Sequence, residues 1–352
     1  MTDRPRVLYI TGWLRSGSTL VGNVLNELPG VLHAGELHYL WRNGVLRTGT
    51  NSVCGCGEQV RACPLWSSVL AFAATGEPSG EPEALARRMT AAQRRLLRTR
   101  HTPARLAEAR AGAAPAPVSG VLDRMAGLYR ELAARGGERL VVDGSKYPAE
   151  AAALLGRADL DVRVLHVVRD PRATALSYHR GKQYISPMGP AASTAYWTAF
   201  NLASELVGAA FPERYLRVRH EDLARRPAET LARVIGFAGL DDAPPVDGAG
   251  IVRLGVNHTV TGNPDRLRHG EVAIRPDERW RTELPRRHRV TATALALPLL
   301  RRYRYPLAPT SAGDGAIGGG AIGGGAIGGG AAGSNTIGNN AIGKEKLGWT
   351  SD

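Results

Sequence analysis

No stretch of the 352-residue sequence is apolar over the roughly 20 residues that a membrane-spanning helix needs. The first residues also lack the apolar run of a secretory signal, so the expectation is a cytoplasmic protein with no membrane partner. Acidic residues are outnumbered, 32 Asp and Glu against 45 Lys and Arg, which leaves a net charge of +13. Such a surplus suits either nucleic acid or a multiply anionic small ligand. No recognised nucleic-acid-binding motif accompanies it, so an anionic small molecule ranks first and nucleic acid is not expected as a partner.

Cysteine is scarce, and the three that occur are clustered at Cys54, Cys56 and Cys63. A local disulfide, a zinc knuckle completed by a histidine such as His33 or His38, and plain buried thiols all compete here. Paired Cys-x-x-Cys spacing is missing and no fourth ligand is evident, which counts against zinc. A cytoplasmic setting counts against the disulfide.

One more absence is informative. Val7 to Ile10 is a short β-prone run, and a helical pattern follows Leu20, with Gly12-Trp-Leu-Arg-Ser-Gly17-Ser18-Thr19 between them. The glycine spacing is that of a phosphate-binding Walker loop, but Ser18 stands where the lysine belongs. Backbone N–H groups and a helix start can still cradle an anion there. Without the lysine that reaches outer phosphates, and with Arg15 inside the turn, the loop suits one phosphate rather than three.

The remaining elements follow an alternating β and α order, which predicts an α/β fold with a P-loop-type central parallel sheet flanked by helices. Val31 to Ala34 reads as a second strand; lying parallel beside the first, it would deliver Glu36 to the loop's edge of the sheet. Residues 81–110 are helical and rich in arginine, part of a helical insertion at about 70–120, and read as a solvated face rather than a cover or an acceptor contact. Leu140 to Val142 leads into Lys146. Val162 to Val168, the most strand-like run, ends in Arg169, and Asp170 with Pro171 should start a helix that places Ser177 about two turns along. Arginine plus hydroxyl suits a second phosphate.

A polar, basic stretch from Asn257 to Gly270 looks like a loop folding over a ligand, and a helix at 285–304 closes a domain spanning 1–308. From Pro309 the composition turns glycine-rich, with Gly-Ala-Ile-Gly-Gly repeating every five residues, and such a tract cannot offset its ordering entropy by apolar burial. A flexible tail over 309–352 is expected.

Taken together, these motifs resemble the sulfotransferase family, whose sulfuryl donor is 3′-phosphoadenosine 5′-phosphosulfate (PAPS). Arg15-Ser16-Gly17-Ser18-Thr19 resembles the family's 5′-phosphosulfate loop. Arg169 with Ser177 resembles its 3′-phosphate pair, and Arg268-His269-Gly270 its late Arg-Lys-Gly segment, with histidine in place of lysine. The run to Gly35-Glu36 and the segment around Lys146 are similar to protein-tyrosine sulfotransferases, while the cysteine loop with Gly262-Asn263-Pro264 resembles bacterial relatives. The resemblance implies PAPS as co-substrate, no metal in the chemistry, and transfer to a hydroxyl acceptor, a small molecule or secondary metabolite being the first choice. Glu36 would be general base, with Arg15 and Lys146 neutralising charge. Tyr39, Trp41, Tyr184, Tyr196 and Trp197 are candidate acceptor-pocket residues. A P-loop kinase and a non-catalytic nucleic-acid-binding protein are the alternatives.

Overall fold

The computed structural model describes residues 4–75, 80–180 and 187–307. The expected glycine-rich tail and Tyr184 lie outside the described residues.

Five strands, β1 (Arg6–Thr11), β2 (Val31–Gly35), β3 (Leu140–Lys146), β4 (Asp161–Val168) and β5 (Tyr215–Arg219), form one sheet in the order β2-β3-β1-β4-β5. Every pairing in it is parallel. Helix α1 (Ser18–Leu25) follows β1. Between β2 and β3 the chain inserts α2 (Pro64–Ala73), α3 (Pro82–Leu96), α4 (Thr102–Ala111) and α5 (Ala116–Ala134). Helix α6 (Pro148–Leu155) leads to β4, and α7 (Pro171–His179) with α8 (Pro190–Ala210) leads to β5. After it come α9 (His220–Arg225), α10 (Pro227–Phe237), an antiparallel ribbon of β6 (Ile251–Leu254) and β7 (Gly270–Ala273), α11 (Trp280–Glu283) and α12 (Arg286–Arg302).

Alternation along β1 shows why both faces of the sheet are covered. Val7 and Tyr9 enter a core shared with the inserted helices, whereas Leu8 and Ile10 enter a second core with α1 and α10. The run Val162 to Val168 behaves alike, with Val164 on the first side and Leu165 on the second. Asp170 caps α7 by accepting from the Arg172 amide at 2.8 Å, with Pro171 in the first turn.

One sequence expectation is corrected here. β2 does not lie beside β1, because β3 enters between them. The chain leaves β1 in one direction and later crosses to β4 and β5 on the other side. The β1–β4 boundary is therefore the switch point, where the carboxyl ends of diverging strands open a crevice.

Candidate active site

Each of the five strands ends with a residue on the same cavity, about 1120 Å³ in volume. β1 runs into the loop carrying Arg15, Gly17, Ser18 and Thr19; Glu36 follows β2; Lys146 ends β3; Arg169 follows β4; His220 follows β5.

Two glycines make the loop possible. Gly12, with φ +132°, passes so close to β4 that a Cβ would lie 2.3 Å from the Val167 carbonyl oxygen. Gly17 caps α1 with φ +90°, and a Cβ there would strike the His220 ring at 2.3 Å. Both need a residue without a side chain. Arg15, at φ 70°, also adopts the left-handed region, where a side chain costs about 1 kcal/mol or more. Its Nε donates to Ser177 Oγ at 2.7 Å.

Polar atoms at this end that are buried without a hydrogen-bond partner among the described residues include Ser16 Oγ, Arg169 Nε and His220 Nδ1. Buried polar atoms are usually satisfied, so three beside one glycine-built loop fit an anion. The Arg169 guanidinium donates to the Arg15 carbonyl and to Asp277, each at 3.1 Å. Asp277 is held well below the usual carboxylate range, first by Arg279 and also by Arg169. His220 is neutral, since burial and then Arg169 lower its pKa to about 3. Nothing in the sequence marks His220 beyond its place after a strand.

Across the cavity Glu36 and Lys146 form an ion pair. Lys146 also donates to the Gly144 carbonyl at 3.0 Å and sits at φ 76°, in the left-handed region like Arg15. Glu36 is fixed from the far end of the chain. Its amide donates to the Val260 carbonyl at 2.9 Å, and Thr261 Oγ1 donates to its carbonyl at 3.1 Å. Gly262 packs on the carboxylate, where an added Cβ would lie only 3.1 Å from Oε1. The ion-pair partner of Glu36 is thus Lys146, while Arg15 serves Ser177.

Behind this pair lies a buried polar layer. His38 Nδ1 meets Glu150 at 2.6 Å, Tyr9 donates to Glu150 at 3.2 Å, and Tyr129 donates to Asp143 at 2.6 Å. Burial, then the neighbouring Glu150, raise the Asp143 carboxyl to about 7. The Tyr39 and Tyr147 hydroxyls meet at 2.7 Å on the cavity wall.

The other sequence candidates divide. Arg268 lines the cavity but lies mostly in solvent, 3.4 Å from Asp265. His269 is exposed and turns to the Gly255 carbonyl at 3.1 Å, and neither it nor Gly270 lines the cavity, because the chain here turns into β7. Of the aromatics, Tyr39 lines the cavity, Trp41 and Trp197 are core, and Tyr196 stacks on Trp13 at 5.3 Å. In the arginine-rich helix α3 Arg87, Arg88, Arg94 and Arg95 are all exposed, and Arg94, with Arg98 just beyond the helix, also lines the cavity beside Arg42. His33 and His38, named as completing a cysteine knuckle, are engaged elsewhere, His33 with Asn23 at 3.1 Å and His38 with Glu150. The histidine that reaches the cysteines is His258, 3.2 Å from Cys63 Sγ. No described helix is long and apolar enough to cross a membrane.

Among solved structures, the fold is similar to the sulfotransferase domain of the Synechococcus PCC 7002 olefin synthase, at 22% identity and a TM-score of 0.50, covering 86% of this chain and 96% of that one. A sulfotransferase domain from the curacin biosynthetic pathway also matches, at 18% identity and a TM-score of 0.49, over 87% of this chain and 99% of that one. No curated protein matches the sequence. The model of the Sulfotransferase family matches residues 6–244, a span that runs from β1 past α10 and carries the loop, Glu36, Lys146, Arg169 and His220. The chain belongs to the sulfotransferase family.

Proposed function

We propose that the protein transfers the sulfuryl group of PAPS to the hydroxyl of a small molecule of the secondary-metabolite type. The observation that carries this reading is the convergence of an anion-cradling loop lacking the Walker lysine with a carboxylate–ammonium pair on one cavity.

Ser16 to Thr19 and the start of α1 would hold the 5′-phosphate by backbone and hydroxyl donors. Arg169, with Ser177 from α7 and Arg268 from the late basic segment, would serve the 3′-phosphate; Arg169 has a buried Nε without a partner among the described residues to offer. Glu36 would take the acceptor's hydroxyl proton as its oxygen attacks sulfur in line and the bond from sulfur to the phosphate oxygen breaks. Arg15 and Lys146 would neutralise the charge gathering on the sulfuryl and leaving oxygens. The Asp277 carboxylate on Arg169 would have to share that guanidinium with the incoming phosphate.

Arg42, Arg94 and Arg98 on the wall beyond Tyr39 favour an acceptor that carries an anionic group as well as its hydroxyl.

Calorimetric titration tests the donor. 3′,5′-ADP should bind at least about tenfold more tightly than 5′-AMP, since one charge-assisted hydrogen bond is worth roughly 1.5 to 3 kcal/mol. Equal affinities would overturn the assignment, and preference for ATP would favour a kinase.

A further inference from the structure

The cysteine cluster plays no part in the chemistry above, yet it is built. Cys54 and Cys56 lie in a tight turn closed by the Cys54 amide on the Glu58 carbonyl at 2.8 Å and the Gly57 amide on the Cys54 carbonyl at 2.9 Å. Cys63 caps α2, its amide on the Gln59 carbonyl at 2.9 Å. From about two hundred residues later in the chain, His258 turns Nδ1 toward Cys63 Sγ at 3.2 Å and Cys54 Sγ at 3.8 Å. The three sulfurs and one imidazole nitrogen all lie within 4.8 Å of one another. A tetrahedral zinc ion, with bonds of about 2.3 Å to sulfur and 2.0 Å to nitrogen, would set such atoms roughly 3.5 to 3.8 Å apart, so little movement is needed.

We propose that Cys54, Cys56, Cys63 and His258 form a structural zinc site. A disulfide would use two of the sulfurs and leave the third and the imidazole without purpose; a sulfur-rich tetrahedral ion uses all four donors. The surroundings match what such a site needs. Trp66 Nε1 donates to the His258 carbonyl at 2.6 Å, and the Gly55 amide donates to the Thr259 carbonyl at 2.9 Å, so the histidine's backbone is locked to both cysteine segments. Three thiolates and one divalent ion leave a net negative charge. The buried Arg266 guanidinium, bound to the Val53 carbonyl at 2.7 Å beside Cys54, offsets it. Zinc binding would release the thiol protons to solvent.

The place of the site explains its use. His258 is two residues before Val260, which bridges Gly35 on one side and Cys54 on the other, and Val260 and Thr261 hold the Glu36 backbone. The ion would join two irregular loops from opposite ends of the sequence into the bracket that fixes Glu36.

Metal analysis of the full chain, purified without chelator under reducing conditions, tests this independently of any sulfuryl transfer. About one zinc per chain is expected, with loss of most of it in Cys56→Ser and in His258→Ala. Cobalt added to metal-stripped protein should give thiolate-to-cobalt charge transfer and tetrahedral d–d absorption, a readout on the wild-type chain that holds even if a variant fails to fold. Stripping the zinc should lower the melting temperature, and adding it back should restore it. Protein without zinc whose fully reduced form takes up no cobalt overturns the proposal, as does a Cys54–Cys63 disulfide in freshly isolated protein. A failure here leaves the PAPS reading untouched, because nucleotide titration does not depend on these thiols.

Discussion

The two walls of the cavity are made by different means. The loop wall rests on one segment and largely on its backbone, with Gly12 pressed against β4, Gly17 against His220 just after β5, and the buried Arg169 and His220 side chains beside them. The opposite wall is made of side chains, Glu36 and Lys146, brought together from two strands and fixed by a third segment at 260–262. A backbone wall tolerates substitution of its side chains, whereas a side-chain wall fails when one atom changes. Mutation should therefore separate them.

The largest effect is expected at Glu36. Glu36→Gln keeps size and hydrogen bonding but removes basicity, so turnover should fall by roughly two to four orders of magnitude while 3′,5′-ADP affinity stays near wild type. Steady-state kinetics beside calorimetry would show the split; equal losses in both would erase the distinction between the walls. Arg169→Ala comes next. It is the loop wall's strongest side-chain contribution, and 3′,5′-ADP should bind roughly 10- to 100-fold more weakly, with turnover at saturating donor little changed.

Buried groups behind the walls respond to acid in opposite directions. His166 and His220, at the β4 and β5 side, and His33 behind β2 all have pKa values lowered to about 3, in each case chiefly by burial. The unfolded chain protonates these imidazoles near 6.5 and the folded one does not, so they stabilise the fold above that pH and progressively lose that contribution as pH falls toward 3. Asp143 works the other way. Its carboxyl, raised to about 7, stays protonated in the fold while the unfolded chain releases the proton near 3.8, so its contribution declines as pH rises between these values. Asp143→Asn should consequently steepen the acid loss of stability by up to about 1.4 kcal/mol per pH unit between pH 4 and 7, measured by urea unfolding across that range. An unchanged slope would mean that the carboxyl is ionised in the fold.

Ser16→Ala should have the smallest effect. One hydroxyl hydrogen bond to a phosphate among several backbone donors is worth about 1.5 kcal/mol, the low end for a charged acceptor, so 3′,5′-ADP affinity should drop about tenfold. Melting temperature should hold or rise, since the substitution removes a buried hydroxyl without a partner. A loss as large as that of Arg169→Ala would show that side chains, not backbone, dominate the loop.

The same contrast explains what could be read from sequence. Residues 12–19 announce themselves because their glycines, hydroxyls and arginine act at fixed spacing along one segment. Glu36, Lys146 and Arg169 were each legible as a polar residue following an apolar strand. Their partners were not: the Glu36–Lys146 pair depends on β3 entering between β1 and β2, and sequence order gives no sign of that insertion. The bracket at Val260 and Thr261, the link between His258 and the cysteines, and the turning away of His269 are contacts over long separations, set by packing rather than by local pattern.

Five strand ends on one cavity would also make a nucleotide bound there a clasp across the sheet. A nucleotide held by the loop after β1, by Lys146 at the end of β3 and by Arg169 after β4 would oppose their separation, so its binding energy would be felt by the whole domain rather than by one loop. In amide hydrogen exchange, 3′,5′-ADP should slow the central strands, which open only by global unfolding, as well as the loop it touches. Protection confined to 12–19 would mean that the nucleotide rests on the loop alone and leaves the other four strand ends free to move.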